Sequence, residues 1–288
     1  MVRIVTDSTS DLTNEIASAL RISIVPLYVN FGDESYQDNI DLTTDEFYRK
    51  LADSAVLPTT SSPSPGSFAE AYDRLAEETD EILTITISSK LSASYKAAVD
   101  GEKLRKRKAR VEIIDSLTAI AGLGLIVISA AKAAQAGYSL DEVINITRSS
   151  MQRVEFRIAF DTLEYLKRGG RIGTAQAFLG SMLKVNPILT IKDGITEGVA
   201  RLRSRAKAID YLYNFATSFD HIEEMAIEDA NTPDDVEALL NRLSARFPRE
   251  RIHKMKVSPV IGTHVGPRVI GLGILPGEQP AHVKGPRK

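Results

Sequence analysis

Short hydroxyl side chains crowd a few places in this sequence. Asp7-Ser8-Thr9-Ser10, Ser88-Ser89 and Asp115-Ser116 each follow an apolar, β-branched run, and Ser92-Ala93-Ser94 lies just beyond the second. A further run, Thr59-Thr60-Ser61-Ser62, continues through Pro63, Ser64 and Pro65. Such groups donate hydrogen bonds at close range and suit an anion such as a carboxylate. The same groups cap helix N-termini by accepting from free backbone N–H groups, and the two uses are compatible.

A serine nucleophile would need a base, and of His221, His253, His264 and His282 only His264, in a Thr-His-Val-Gly-Pro setting, is a credible one. A hydrolase or acyltransferase using Ser92 or Ser94 with His264 therefore stays open. The absence of a Gly-x-Ser-x-Gly elbow weighs against it. The histidines show no zincin spacing, no phosphate loop of the Gly-x-x-x-x-Gly-Lys-Ser/Thr type occurs, and Gly122-Leu123-Gly124 lacks the third glycine of a dinucleotide fingerprint. Cysteine is absent, which excludes disulfide scaffolds, thiolate metal sites and cysteine nucleophiles. The basic run Arg105-Lys106-Arg107-Lys108-Ala109-Arg110 reads as a solvated helix end. A lipid-sensing regulator touching a nucleic acid or membrane through that run is the minority reading. Arg168-Gly169-Gly170-Arg171 reads as a helix-ending turn or as a presentation of Arg171 to an anion or partner.

The elements that must position these groups alternate strand and helix. The chain has 288 residues, a prior of about two domains. With 36 basic against 38 acidic residues its net charge is −2, which disfavours a general nucleic-acid binder. Residues 4–6, 22–31, 82–87 and 111–114 read as buried strands, separated by runs of helical spacing such as Leu12, Ile16, Leu20 and Phe68, Tyr72, Leu75. Thr43 and Glu46 have capping-box spacing, and residues 54–66 read as a loop. Strands alternating with helices imply right-handed crossovers and a mainly parallel sheet in the first half. Ligands of such sheets gather beyond the carboxyl ends of the strands, where the hydroxyl clusters sit. The second half has strands at 157–160, 187–191, 222–227, 252–257 and 269–274, a tight turn at Asp193-Gly194, helices at 175–183 and 206–219, and a helix opened by Thr232-Pro233. The boundary falls near Val154, giving domains 1–154 and 155–288. The apolar stretch 119–131 is too short to span a bilayer, and the N-terminus lacks the pattern of a signal or transit peptide, so a cytoplasmic protein is expected.

Taken together, six segments resemble the DegV family of bacterial fatty-acid-binding proteins, which includes the FakB subunits of fatty acid kinase. They are Ile4-Val5-Thr6-Asp7-Ser8-Thr9, Pro58-Thr59-Thr60-Ser61-Ser62-Pro63-Ser64, Ile87-Ser88-Ser89-Lys90-Leu91-Ser92-Ala93-Ser94-Tyr95, Ile114-Asp115-Ser116, Tyr165-Leu166-Lys167-Arg168-Gly169-Gly170-Arg171-Ile172 and Gly262-Thr263-His264-Val265-Gly266-Pro267. The resemblance covers essentially the whole chain. It implies two α/β domains, an N-terminal one with a mainly parallel sheet flanked by helices and a C-terminal one with a mixed sheet. It also implies an acyl chain buried in the first domain, its carboxyl group near the domain interface. Thr60 and Ser61 match the Thr-Ser of the family's Thr-Ser-Gln-Pro-Ser loop, Ser92, Ala93 and Ser94 match its Ser-Gly-Thr, and His264 matches the histidine of its C-terminal loop. These six residues are the expected carboxylate site, with Thr60 and Ser92 as foremost hydroxyl donors. Arg171 and Arg203 match family arginines expected at the site mouth or partner surface. Ser62 replaces glutamine, Ala93 replaces glycine, and Arg268 stands where the family has glycine.

The resemblance further implies a carrier without catalysis of its own or a cofactor beyond the bound lipid. It would take a fatty acid such as palmitate or oleate and present the carboxyl group to a FakA-like, dihydroxyacetone-kinase-related partner. ATP and magnesium would belong to that partner, no nucleic acid would be bound, and membrane contact would be transient. A sixteen-carbon tail leaving water gains on the order of 10 kcal/mol, so the tail would supply affinity and the head-group donors orientation. With aromatics at 6% and no tryptophan, aliphatic side chains are the expected tunnel lining: Ile24, Leu27, Leu117, Ile120, Leu123, Leu125 and Ile126.

Overall fold

The computed structural model describes residues 1–181 and 185–277. From the N-terminus the chain runs β1 (Arg3–Asp7), α1 (Asn14–Ala19), β2 (Ile22–Val25), β3 (Tyr28–Phe31), β4 (Glu34–Gln37), α2 (Thr44–Asp53), β5 (Thr59–Ser61), α3 (Pro65–Leu75), β6 (Glu81–Thr86), α4 (Ser94–Leu104), β7 (Arg110–Asp115), α5 (Ile120–Gln135) and α6 (Leu140–Arg153). It continues through β8 (Glu155–Ala159), α7 (Glu164–Arg168), β9 (Asn186–Lys192), β10 (Ile195–Leu202), α8 (Arg205–Thr217), β11 (Ile222–Ala230), α9 (Pro233–Leu243), β12 (Ile252–Lys256), α10 (Pro259–Val265) and β13 (Val269–Pro276).

The first sheet is parallel throughout, in the order β2-β1-β6-β7. Alternation of side chains splits its buried residues between two cores. Val5 and Ile82 pack with Phe68, Tyr72 and Leu75 of α3 and with Ala97 and Ala98 of α4. Ile4, Leu83 and Ile85 pack with α5 and α6. The second sheet, β10-β9-β8-β13-β11-β12, is mixed: β11 and β12 are parallel and the other pairs antiparallel. One face, carrying Ile188, Ile270, Leu272 and Ile274, is covered by α8 and α9. The other face meets α5.

Helix α5 is almost wholly apolar because both sheets and α6 pack around it. It contacts β1 and β6 of the first sheet and β13 and β11 of the second, and along 120–135 only Lys132 and Gln135 escape burial. Its approach to β13 requires Gly273, where a Cβ would stand 3.0 Å from Cβ of Ala121. Glu228 of β11 completes the junction, accepting from the Ala121 N–H at 2.9 Å.

Several local expectations are corrected. The run 22–31 is two strands, β2 and β3, with Pro26 between them; proline offers no N–H to continue a ladder. Strand β3 then leaves the parallel sheet and pairs antiparallel with β4 and β5, so the supposed loop 54–66 contains a strand. The stretch 175–183 forms a 3-10 helix over Gly173–Ser181, with Met182 and Leu183 outside the described residues. Thr232 precedes α9 and Pro233 sits in its first turn, but the threonine hydroxyl donates to the Val269 carbonyl instead of capping. The Thr43–Glu46 capping box is present, as is the Asp193-Gly194 turn, both residues having positive φ.

Candidate functional site

The hydroxyl-rich loop becomes β5 because β3 supplies it with an antiparallel partner, Val29 opposite Thr60 and Tyr28 opposite Ser61. Strand alternation then sends neighbouring side chains opposite ways. Thr60 meets His264, with Oγ1 and Nε2 2.8 Å apart, whereas Ser61 is exposed and accepts from Nδ2 of Asn30. His264 is delivered by the last turn of α10, a short helix begun by Ser258, whose Oγ caps it, and Pro259.

The loop after β6 folds back on itself. Ser88 Oγ donates to the Gly194 carbonyl at 2.8 Å, and Lys90 Nζ donates to that of Asp193, joining this loop to the β9–β10 turn. Ser92 then lies 3.0 Å from Ser62 and 2.9 Å from Ser94, Oγ to Oγ. Backbone N–H groups feed this chain from outside: Ala93 donates to Ser62 and Ser94 to Ser92. Each of these two hydroxyls therefore accepts one N–H; of the three protons on Ser62, Ser92 and Ser94, two lie in the mutual hydrogen bonds and one is left to point into the cavity.

These groups form one end of a cavity between the first sheet's carboxyl edge and the second sheet. The room inside it for the centre of a water-sized sphere is about 90 Å³, and the space between its walls, open solvent at the mouth included, is about 750 Å³. Leu27, Ile87, Leu91, Ala119 and Ile120 come from the N-terminal half; Phe156, Ile158, Phe160, Leu166, Ile191, Val260, Ile261 and Val265 come from the C-terminal half. The polar lining is Thr9, Thr60, Ser62, Ser92, Arg171, Thr190, Thr196 and His264. Thr60, Arg171 and His264 also border an outer cleft with Leu57, Tyr165 and Arg168, so the polar end faces outward.

The fixed charge at the polar end is the Arg171 guanidinium. Burial, with the Arg171 guanidinium nearby, pushes the His264 pKa down to about 4, leaving a neutral imidazole at neutral pH. Nδ1 of His264 is buried without a hydrogen-bond partner and packs on Gly169, where a Cβ would stand 2.2 Å away. An orphaned buried N–H is the rarer arrangement, so the tautomer with its proton on Nε2 is favoured. His264 then donates to Thr60, and the Thr60 O–H is free to donate into the cavity. Arg171 is anchored by donating to the carbonyls of Leu91 and Gly169.

Behind this end lie buried carboxylates. Asp7 accepts from the Thr9 N–H and hydroxyl and from the Ile87 N–H, so it gathers two cavity-lining residues that follow the carboxyl ends of β1 and β6. Its pKa is raised to about 6 by burial. Asp38 accepts from the Val260 N–H at 3.2 Å in the first turn of α10, and burial raises its pKa to about 7. No group of three or more His, Cys, Asp or Glu side chains suited to a metal ion occurs among the described residues.

Comparison with known proteins fits this architecture. The family profile described as "Uncharacterised protein, DegV family" matches residues 1–277. The chain belongs to the DegV family. A DegV domain-containing protein of Caldanaerobacter subterraneus is 34% identical over 94% of this chain and 97% of its own length. A DegV family protein from Thermus thermophilus, described by its fatty-acid binding, superposes with TM-score 0.87 at 35% identity, covering 96% of this chain and 99% of its own. A stearic-acid-binding protein from Eubacterium ventriosum also reaches 0.87, at 26% identity and with 96% and 98% coverage.

In this DegV-family chain the expected head-group residues are only partly brought together. Thr60, Ser92 and His264 line the cavity; Ser94 stands behind Ser92, Ala93 contributes its N–H to Ser62, and Ser61 faces away. Ser62 takes the place expected of Ser61. Of the expected tunnel residues, Leu27 and Ile120 line the cavity. Leu123, Leu125 and Ile126 are fully buried in the α5 core, Ile24 borders a shallow cleft near Arg3 and Glu78, and Leu117 is 41% exposed. Arg171 is at the mouth, and Arg203 is exposed outside the lining. Sequence reasoning missed Phe156, Ile158 and Phe160: the strand expected at 157–160 begins one residue after Phe156, and the period of two running from Phe156 through Ile158 to Phe160 was the signal that one face is apolar. The basic run is engaged locally: Arg105 pairs with Glu102, Arg107 with Glu77 and Arg110 with Asp141. Among the described residues no helix is long and apolar enough to cross a membrane.

Proposed function

We propose that this chain binds a long-chain fatty acid, with the tail between the two sheets and the carboxylate at the Thr60, Ser62, Ser92 and His264 end. The observation that carries this reading is an apolar cavity closed at one end by the Thr60 hydroxyl and the Ser62–Ser92–Ser94 chain, which together keep two O–H protons unspent, beside a neutral imidazole. Such an end offers O–H donors to an anion, and apolar walls remove a tail from water. The fatty-acid binding described for the Thermus and Eubacterium relatives supports the same assignment. Residues 1–154 and 155–288 act as its two domains in this reading, each supplying part of the wall.

The carboxyl group would be presented through the cleft of Leu57, Tyr165 and Arg168 to a partner kinase that forms an acyl phosphate, ATP and magnesium being held by the partner. The absence of a phosphate-loop motif in the sequence agrees with that division. Within this chain, His264 would hold Thr60 oriented, the one unspent proton of the Ser62–Ser92–Ser94 chain would fix the second carboxylate oxygen, and Arg171 would offset charge at the mouth.

Native mass spectrometry of the purified chain with palmitate or oleate tests the binding step. A one-to-one acyl complex, weakened by Thr60→Val with Ser92→Ala, is expected. No uptake would reject the reading. Hydrolysis of a p-nitrophenyl ester lost on changing Ser92 or His264 would replace it with an enzyme.

A further inference from the structure

The cavity has a second border, on β8 and β9. There it shares Phe156, Thr190 and Ile191 with another surface cleft, whose lining mixes Leu117, Met151, Val154 and Val199 with charged side chains such as Arg148, Glu155 and Lys192. Phe156 of β8 is 3% exposed and Ile191 of β9 is half-buried. The Thr190 hydroxyl adds no donor at this border, because it donates to the Phe156 carbonyl at 2.7 Å. Two hydrocarbon side chains on adjoining strands thus stand between the cavity and open surface.

Resting on the fatty-acid reading above, we infer that Phe156 and Ile191 form the end wall of the acyl tunnel and set the longest chain it accepts. A methyl terminus short of the wall is buried completely, and each added methylene strengthens binding by roughly fourfold. A tail that reaches the wall must displace a packed ring or buckle, so further carbons weaken binding. Beyond the wall Leu117, Met151, Val154 and Val199 offer apolar footing among the charged groups of the cleft, so opening the wall would let a longer tail continue along them.

The test is a chain-length series of saturated acids, lauric to behenic, titrated against wild type, Ile191→Ala and Phe156→Leu. Wild-type affinity should rise and then break. Both variants should move the break to longer acids, improving arachidic acid by roughly tenfold or more while leaving lauric acid nearly unchanged. Should Phe156→Leu fail to fold, Ile191→Ala decides by itself, since it trims a half-buried side chain. A break at the same length in folded Ile191→Ala, or no break in wild type, overturns the end-wall assignment alone. A wild type that binds none of these acids overturns the fatty-acid reading beneath it.

Discussion

Thr60→Val removes one hydroxyl and keeps the shape of the side chain. In the structure that oxygen lies 2.8 Å from Nε2 of His264 and borders the cavity, so its own proton is the one available to a bound carboxylate. A hydrogen bond to a charged group contributes about 1.5–3 kcal/mol. At about 1.4 kcal/mol per tenfold, palmitate should bind roughly 10- to 150-fold more weakly. The tail contacts are untouched, so the fatty alcohol of equal length should lose far less. The folded protein should also lose stability, because His264 Nε2 is left buried without its partner, at about 1–3 kcal/mol. Competition of acid and alcohol against a fluorescent fatty acid, with thermal unfolding alongside, reads both effects. An equal loss for acid and alcohol, or unchanged acid binding, would refute Thr60 as a head-group donor.

Other predictions follow from neighbouring contacts. Gly169→Ala places a methyl 2.2 Å from His264 Nδ1 at an ordinary φ of −73°, so the imidazole must move off Thr60. Acid binding should weaken without a change in chain-length preference, and a crystal structure of the variant with an unmoved imidazole would contradict this. Asp38 has a folded pKa of about 7 against 3.8. The native state therefore holds its proton more tightly, and the stability this contributes is lost as pH rises from about 4 to 7. Asp38→Asn imitates the protonated form, so its melting temperature should fall less than wild type between pH 5 and pH 7.5; a parallel fall would show the group is not the source. His264 runs the other way. With its pKa lowered to about 4 from 6.5, its contribution is lost as pH falls below about 6.5, and His264→Gln should reduce acid sensitivity in that window by urea titration. Leu123→Ala should cost about 2–5 kcal/mol in stability yet leave the chain-length series unchanged, as expected for core rather than lining.

The parallel sheet and its helices were legible because alternating β-branched runs and helical stripes dominate residues 1–154. The local errors have local causes. Pro26 ended a strand inside a run of strand formers, and β5 formed in a polar loop because β3 offered it a ladder. Thr60, Ser92 and His264 were legible as hydroxyls and a lone imidazole in family-like segments. Ser61 was not separable from Ser62, since only pairing with β3 decides which side chain faces inward. The α5 leucines misled for a related reason. A helix apolar on all sides looks the same in sequence whether it lines a cavity or fills a space between two sheets, and here Leu123 and Leu125 do the latter.

That shared helix has a mechanical consequence. A segment packed between two sheets in one shared core cannot leave one sheet without stripping the other, so loss of either sheet should expose both. The chain should then melt in a single calorimetric transition, and severing it after residue 154 should yield an insoluble first fragment rather than an independent module.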